Sequence, residues 1–379
     1  MKSLSLVVIF VVSQFFLLGQ NNKEQAYKYG REAIRLMDEE KDYKEAIKLL
    51  QKAQALDEDN ILYSYEIAYA YYIQKRYETA INFLRKLQRK DGFNERFFRL
   101  LGTCYDLSED VKKAENTYLD GIEYYPFSGE LYTEMGGLQY RKGNIDRAVN
   151  YWEMGIRRDP NFASNYYWAA KMYLNSSEKV WGVFYGELFM NLERNSKRTS
   201  EMGEMLFEAY QGAFHPENDS IGWFSLSERA RTYRLLMFED QGQVPFQVAY
   251  GEAFEEVYDK WLKADSTATS KTATLSIGDI ATLRTLFTQY WFDHNRYTPY
   301  PNILLDWHKI LIDKGYFEAY HYWLLMKGDS DAFGNWGQTH QKVFSEFMSW
   351  FKENPLRLNE HKKFHRLQYV EGNQPLKDF

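Results

Sequence analysis

The sequence predicts an all-α protein: a solenoid of stacked helix-turn-helix repeats that runs on into a degenerate helical second half. Three observations predict it. Small residues recur 34 positions apart in two interleaved series, Ala68, Gly102, Gly136, Ala170 and Ala46, Ala80, Ala114, Ala148, Gly182. Proline is scarce, 8 residues in 379, which permits long uninterrupted helices. Few segments alternate as strands do, and the amphipathic stretches run with the helical period.

The chain is longer than one ordinary globular core fills, so two domains or one extended array are expected. Aromatic residues make up 18% of it, with 31 Tyr, 26 Phe and 10 Trp. The net charge is −6, and −7 without residues 1–19, which hold Lys2 and no acid. With no Lys/Arg run longer than two, nothing favours a nucleic-acid partner. The lone cysteine, Cys104, cannot close an intrachain disulfide, and lies too far from the N-terminus to be the first residue of a lipoprotein.

Residues 1–19 place Lys2 ahead of an apolar stretch from Leu4 to Leu18 that ends at Gly19, followed by polar residues. This predicts a cleaved signal peptide and a periplasmic or secreted protein of a bacterium, with no integral span after cleavage. The alternative is an inner-membrane anchor formed by residues 4–18, which is short for a bilayer span.

Each 34-residue unit reads as two helices. The small residue lies where the first helix crosses its partner, since helix axes approach closely only over Ala or Gly. Tyr71, Tyr105 and Tyr173 form a third series, with Gln139 filling the missing step. Leu84, Tyr118 and Trp152 fill the space from the second helices, and Pro126 and Pro160 close units 34 residues apart. Residues 95–128 carry Phe98, Leu101-Gly102, Tyr105, Ala114, Tyr118 and Pro126; residues 129–162 carry Tyr132, Met135-Gly136, Ala148, Trp152 and Pro160. Residues 61–94 carry Ile67-Ala68, Tyr71, Ala80 and Leu84, with Gly92 in place of proline. These motifs resemble the tetratricopeptide repeat family. The resemblance covers about residues 24–196, roughly half the chain. Residues 27–60 fit only with one residue inserted between Asp38 and Lys41, and residues 163–196 lose the pattern near Trp181-Gly182. It implies a right-handed α-solenoid and a protein or peptide partner. The expected domains are a signal peptide (1–19), an array of about five repeats (20–196) and an all-helical region (197–379), with a possible subdomain boundary at 265–276.

In the second half, helices are expected at 198–213, 225–238, 247–263, 277–294, 301–314, 316–327 and 332–353. Ser276 with Asp279 reads as an N-cap pair. All seven histidines follow residue 214. His361 and His365 stand four apart on an expected helix, but no Glu follows the first, so the zinc-protease pattern is absent. Asp306 near His308, and Asp293 beside His294, read as incidental neighbours, since residues one or two apart on a helix do not face each other. Cys104 reads as a small core residue. No cofactor, metal or catalytic residue is expected.

First helices of such repeats line the concave face of the stack. The residues expected there are Tyr65, Tyr69, Tyr72, Arg99, Thr103, Thr133, Tyr140, Tyr167 and Lys171. Tyrosine and arginine suit protein recognition. The asparagines of the family's carboxylate clamp are missing from the matching positions. The reading is a non-enzymatic scaffold or adaptor of the bacterial envelope and a candidate component of an envelope complex. The alternative makes residues 197–379 an enzyme or ligand-binding domain with the repeats as its docking arm.

Overall fold

A computed structural model of the chain describes residues 20–218, 221–236, 244–264, 275–359 and 361–369. The expected signal segment and nearly all of the expected subdomain boundary at 265–276 lie outside these residues. The chain divides into two compact units, within and beyond the turn at Asn144/Ile145.

The first unit is helical throughout. Helix α1 (20–35) leads into a π-turn at Leu36–Glu40, followed by α2 (Tyr43–Leu56), α3 (Leu62–Ile73), α4 (Tyr77–Leu87), α5 (Glu95–Leu107), α6 (Val111–Tyr124) and α7 (Gly129–Arg141). Successive helices pack in pairs, and α5 also lies beside both α3 and α7. Ala46, Ala68, Ala80, Leu84, Ala114 and Tyr118 are fully buried. At Gly102 the two helices of a pair pack closely: a methyl group there would overlap the Tyr118 ring.

The extra residue expected near Asp38 to Lys41 is present as the π-turn. A wider i→i+5 turn absorbs one residue without breaking the helix, and the Lys41 N–H closes it on the Leu36 carbonyl. The turns between paired helices share one geometry. Lys41, Lys75, Glu109 and Gly143, each 34 residues on, all hold positive φ, between 59° and 79°. Past each of the last three, a backbone N–H reaches back to a carbonyl in the first helix: Arg76 to Tyr71, Asp110 to Tyr105 and Asn144 to Gln139, each at 2.9 Å. This is the left-handed C-terminal cap that satisfies a helix's orphan carbonyls. The series Tyr71, Tyr105, Gln139 therefore marks the capped position as well as a packing position.

The second unit contains α8 (Ile145–Arg158), α9 (Ala163–Leu174), α10 (Lys179–Leu192), α11 (Lys197–Gln211), α12 (Glu228–Leu236), α13 (Phe246–Ala264), α14 (Ile277–Asp293), α15 (Ile303–Asp313), α16 (Phe317–Leu325) and α17 (Ser330–Glu353). The Ser276–Asp279 capping box opens α14 as expected. Three features depart from the sequence reading. Strands β1 (Phe214–Asn218) and β2 (Ile221–Phe224) form a short antiparallel hairpin where no element was expected. Helix α17 is kinked at His340. His361 and His365 lie in irregular chain, not on a helix.

That irregular chain is a strap. Leu356, Leu358 and Phe364 are buried. Phe364 stacks on Phe184 at 4.8 Å between ring centres, and the Lys363 ammonium donates to the Arg157 carbonyl at 2.8 Å. The Arg366 guanidinium donates to both carboxylate oxygens of Glu153, at 3.0 and 2.9 Å. The Tyr173 and Tyr185 hydroxyls donate to the same carboxylate, at 2.9 and 3.1 Å. Glu153 is buried, so it is the set of donors around it that makes its charge tolerable.

Candidate protein-binding face

In the first unit, α3, α5 and α7 are the first helices of successive repeats and lie side by side. Tyr65, Tyr69 and Tyr72 stand at i, i+4 and i+7 along α3, so one helix face carries all three. Their rings stack in sequence, with centres 6.3 and 5.9 Å apart. Tyr65 is the buried end of this row. It meets the Phe97 ring edge-on at 5.0 Å, with the Arg96 guanidinium 5.0 Å above it. Tyr69 and Tyr72 are half-buried.

On α5, Arg99 pairs with Glu130 of α7 at 2.9 Å. The Thr103 hydroxyl donates to the Arg99 carbonyl at 2.8 Å and lies 3.1 Å from the Tyr118 hydroxyl, which therefore donates to it. On α7, the Thr133 hydroxyl donates to the Gly129 carbonyl at 3.1 Å, and Tyr140 is exposed. The structure thus gathers Tyr69, Tyr72, Arg99 and Thr103 with the α7 residues on adjacent helices, and turns Tyr65 inward.

Tyr167 and Lys171 belong to the second unit and are engaged there. The Tyr167 hydroxyl and Lys171 ammonium both bond Glu201, at 2.5 and 2.6 Å, and the Arg198 guanidinium sits 5.0 Å over the Tyr167 ring. Tyr167 is buried because α11 supplies these partners, which a reading of α9 alone does not anticipate.

The sequence reading passed over the carboxylates of the face. Asp106 pairs with Arg141, and Glu130 with Arg99. Glu134 has neither an ion-pair partner nor a side-chain hydrogen bond among the described residues. Burial raises its pKa, against the opposing charges of Arg99 and Arg141. The available signal was positional: Glu66 and Glu134 each stand two residues before a small crossing residue.

Among the described residues no group of three or more His, Cys, Asp or Glu is arranged to hold a metal ion. His215, His294 and His340 stack on Trp223, Tyr290 and Trp336, with centres 3.7, 3.9 and 4.7 Å apart. Asp306 accepts from Tyr297 at 2.8 Å. Burial pushes the Cys104 thiol up to about 12, so it stays protonated and inert.

His308 and His321 join a buried polar cluster around Glu187. The Arg284 guanidinium donates to one carboxylate oxygen at 2.6 Å. His308 Nε2 donates to the other at 2.6 Å, joined by the Tyr320 hydroxyl at 2.9 Å. His321 donates from Nδ1 to the Phe317 carbonyl at 2.7 Å, which leaves Nε2 to accept from Arg284 at 2.9 Å. The Asn191 amide completes the group by donating to Tyr320 at 2.7 Å. Burial opposes ionisation of Glu187, yet Arg284 and then His308 outweigh it and hold its pKa far below the usual carboxylate range. Burial lowers both histidines, which remain neutral. These bonds join α10, α14, α15 and α16, and both carboxylate oxygens of Glu187 are bonded within the cluster, while the Asn191 side-chain oxygen is buried without a partner.

A family model described as tetratricopeptide repeat matches residues 39–104. Those residues are tetratricopeptide repeats in an all-α fold, and repeats of this kind generally act as protein-binding scaffolds. PilF of Pseudomonas aeruginosa is 18% identical to this chain, with 50% of this chain and 86% of PilF covered and a TM-score of 0.42. MamA of Desulfovibrio magneticus RS-1 is 14% identical, covering 46% of this chain and 97% of MamA at a TM-score of 0.36. YrrB, a TPR protein with an unusual peptide-binding site, is 21% identical, covering 47% and 92% of the two chains at a TM-score of 0.33. No curated protein matches the chain. No helix of the described residues is long and apolar enough to cross a membrane.

Proposed function

We propose that this protein is a non-enzymatic scaffold that holds a polypeptide partner along α3, α5 and α7. The observation that carries the reading is the half-buried Tyr69–Tyr72 stack beside Arg99 and Thr103, on three first helices in register. Tyrosine and arginine supply large contact area and hydrogen bonds at low entropic cost. Tyr140 extends the same face, and Thr133 contributes to its α7 wall. Replacing Tyr69 and Arg99 with alanine is expected to reduce partner capture from native cells at least about tenfold, as loss of two interface anchors would, with the urea midpoint little changed. Unchanged capture would reject this face.

The proposed setting is the bacterial envelope, with the mature chain periplasmic after removal of residues 1–19, as part of an envelope complex. The support is the sequence of that segment. Mass spectrometry of the protein from fractionated cells is expected to find a soluble chain beginning near residue 20; an intact segment in the inner membrane would favour the anchor. The second reading, an enzyme or ligand-binding domain in residues 197–379, gains no support from the Glu187 cluster, whose carboxylate oxygens are both bonded by Arg284, His308 and Tyr320.

A further inference from the structure

We infer that the α3–α5–α7 face reads a basic side chain, lysine or arginine, of the bound polypeptide, received between the Glu134 carboxylate and the rings of Tyr69 and Tyr72; this rests on the polypeptide-binding reading above. Charge balance is the first argument. Asp106 and Glu130 are matched one to one by Arg141 and Arg99. Of the other charged positions of α3 and α5, Glu66 lies within electrostatic reach of Arg96, and Glu95 stands at the first residue of α5. Glu134 lies near Arg99 and Arg141 but is the carboxylate of α7 left without an ion-pair partner of its own among the described residues.

The aromatic surroundings are the second argument. Some tyrosines of the repeats carry a cation of this chain: Arg96 over Tyr65, Arg76 over Tyr71 and Lys113 over Tyr105, at 5.0, 4.7 and 5.5 Å. Among the described residues no lysine or arginine lies over Tyr69 or Tyr72. Glu134 is within electrostatic reach of Tyr72 and of Tyr118. An aromatic face with an adjacent carboxylate attracts a cation through both the ring quadrupole and the charge. A half-buried carboxylate without a donor also gains more from a charge-assisted hydrogen bond than an exposed one does. The flanking arginines, tied to their own acids, leave room for one cation and act against a second.

The test is selection of random twelve-residue peptides by phage display on the full chain and on three variants: Glu134→Gln, Glu134→Lys and Tyr69→Ala/Arg99→Ala. Thermal unfolding of each variant is recorded in parallel. The expected result is that the wild-type protein enriches peptides with Lys or Arg at one aligned position. Exchanging that residue for norleucine should weaken binding about tenfold or more to the wild type, as loss of one charge-assisted contact would, and less than about twofold to Glu134→Gln. Glu134→Lys should reject the basic peptides. If the enriched peptides lose affinity for Tyr69→Ala/Arg99→Ala but share no basic position, the face stands as a binding site and the charge reading falls. If Glu134→Gln enriches the same basic position, the charge reading falls as well. If nothing is enriched, the binding face and the charge reading fall together.

Discussion

Gly102 shows how tightly single side chains set the repeat geometry. Its missing methyl leaves room for Tyr118, which is fully buried and bonded to Thr103. Gly102→Ala forces that ring to move, and overpacking of this kind costs about 1–3 kcal/mol; a lower urea midpoint with an unchanged slope is the expected outcome. At Glu187 the risk is charge and not volume. Arg284→Met leaves a carboxylate buried without its main counter-ion and is expected to cost about 3–5 kcal/mol. Adding Glu187→Leu should recover part of that loss, because the uncompensated charge goes with it. A double-mutant cycle in urea checks both statements.

Between helices, the recurring left-handed turn makes the next demand. Gly143 adopts positive φ freely, whereas Lys41, Lys75 and Glu109 adopt it against their side chains. Gly143→Ala is expected to lower stability by about 1 kcal/mol, and Lys75→Gly to raise it by less than that, as read from unfolding midpoints. This turn was not legible in the sequence because only one of its four residues is glycine. The helices were legible wherever burial repeats with the helical period. The π-turn was visible only as one residue too many between Asp38 and Lys41. The hairpin Phe214–Phe224 and the strap had no signal, since short strands and extended chain show no period over so few residues. For the candidate face, Tyr69, Tyr72, Arg99 and Thr103 could be read from their spacing. Glu134 could not, because its significance lies in which neighbouring carboxylates already have partners. Tyr167 was misplaced for the same reason: its partners come from a different helix.

Across the molecule, the two units are expected to respond oppositely to mild acid. Every histidine lies in the second unit. The folded-state pKa values of His308 and His321 lie below the ordinary 6.5. The unfolded chain therefore binds protons first as pH falls through about 6.5, and stability drops by up to about 1.4 kcal/mol per pH unit for each buried histidine. Glu187, also lowered, adds to this loss only once pH falls below its ordinary 4.5. In the first unit, burial raises Glu66 and Glu134, so their protonation favours the folded state as pH falls toward 4.5. Hydrogen exchange followed by mass spectrometry from about pH 7.5 to about 5.5, corrected for intrinsic rates, is expected to show lost protection in α10, α14, α15 and α16 and retained protection in α3 to α6. His308→Gln should flatten the response of the second unit.

The strap has a consequence in time. Arg366 closes on Glu153 across 213 residues of sequence, whereas each pair of helices in the first unit closes on its neighbour in sequence. At roughly 5–20 residues per second of synthesis, Glu153 exists for about 10–40 s before its counter-ion is made. Through that interval the ring-lined seat of Phe364 stands open. A nascent chain thus has a finished first unit and an unlatched second one, and this is the window in which a chaperone, a protease or a second copy would find it.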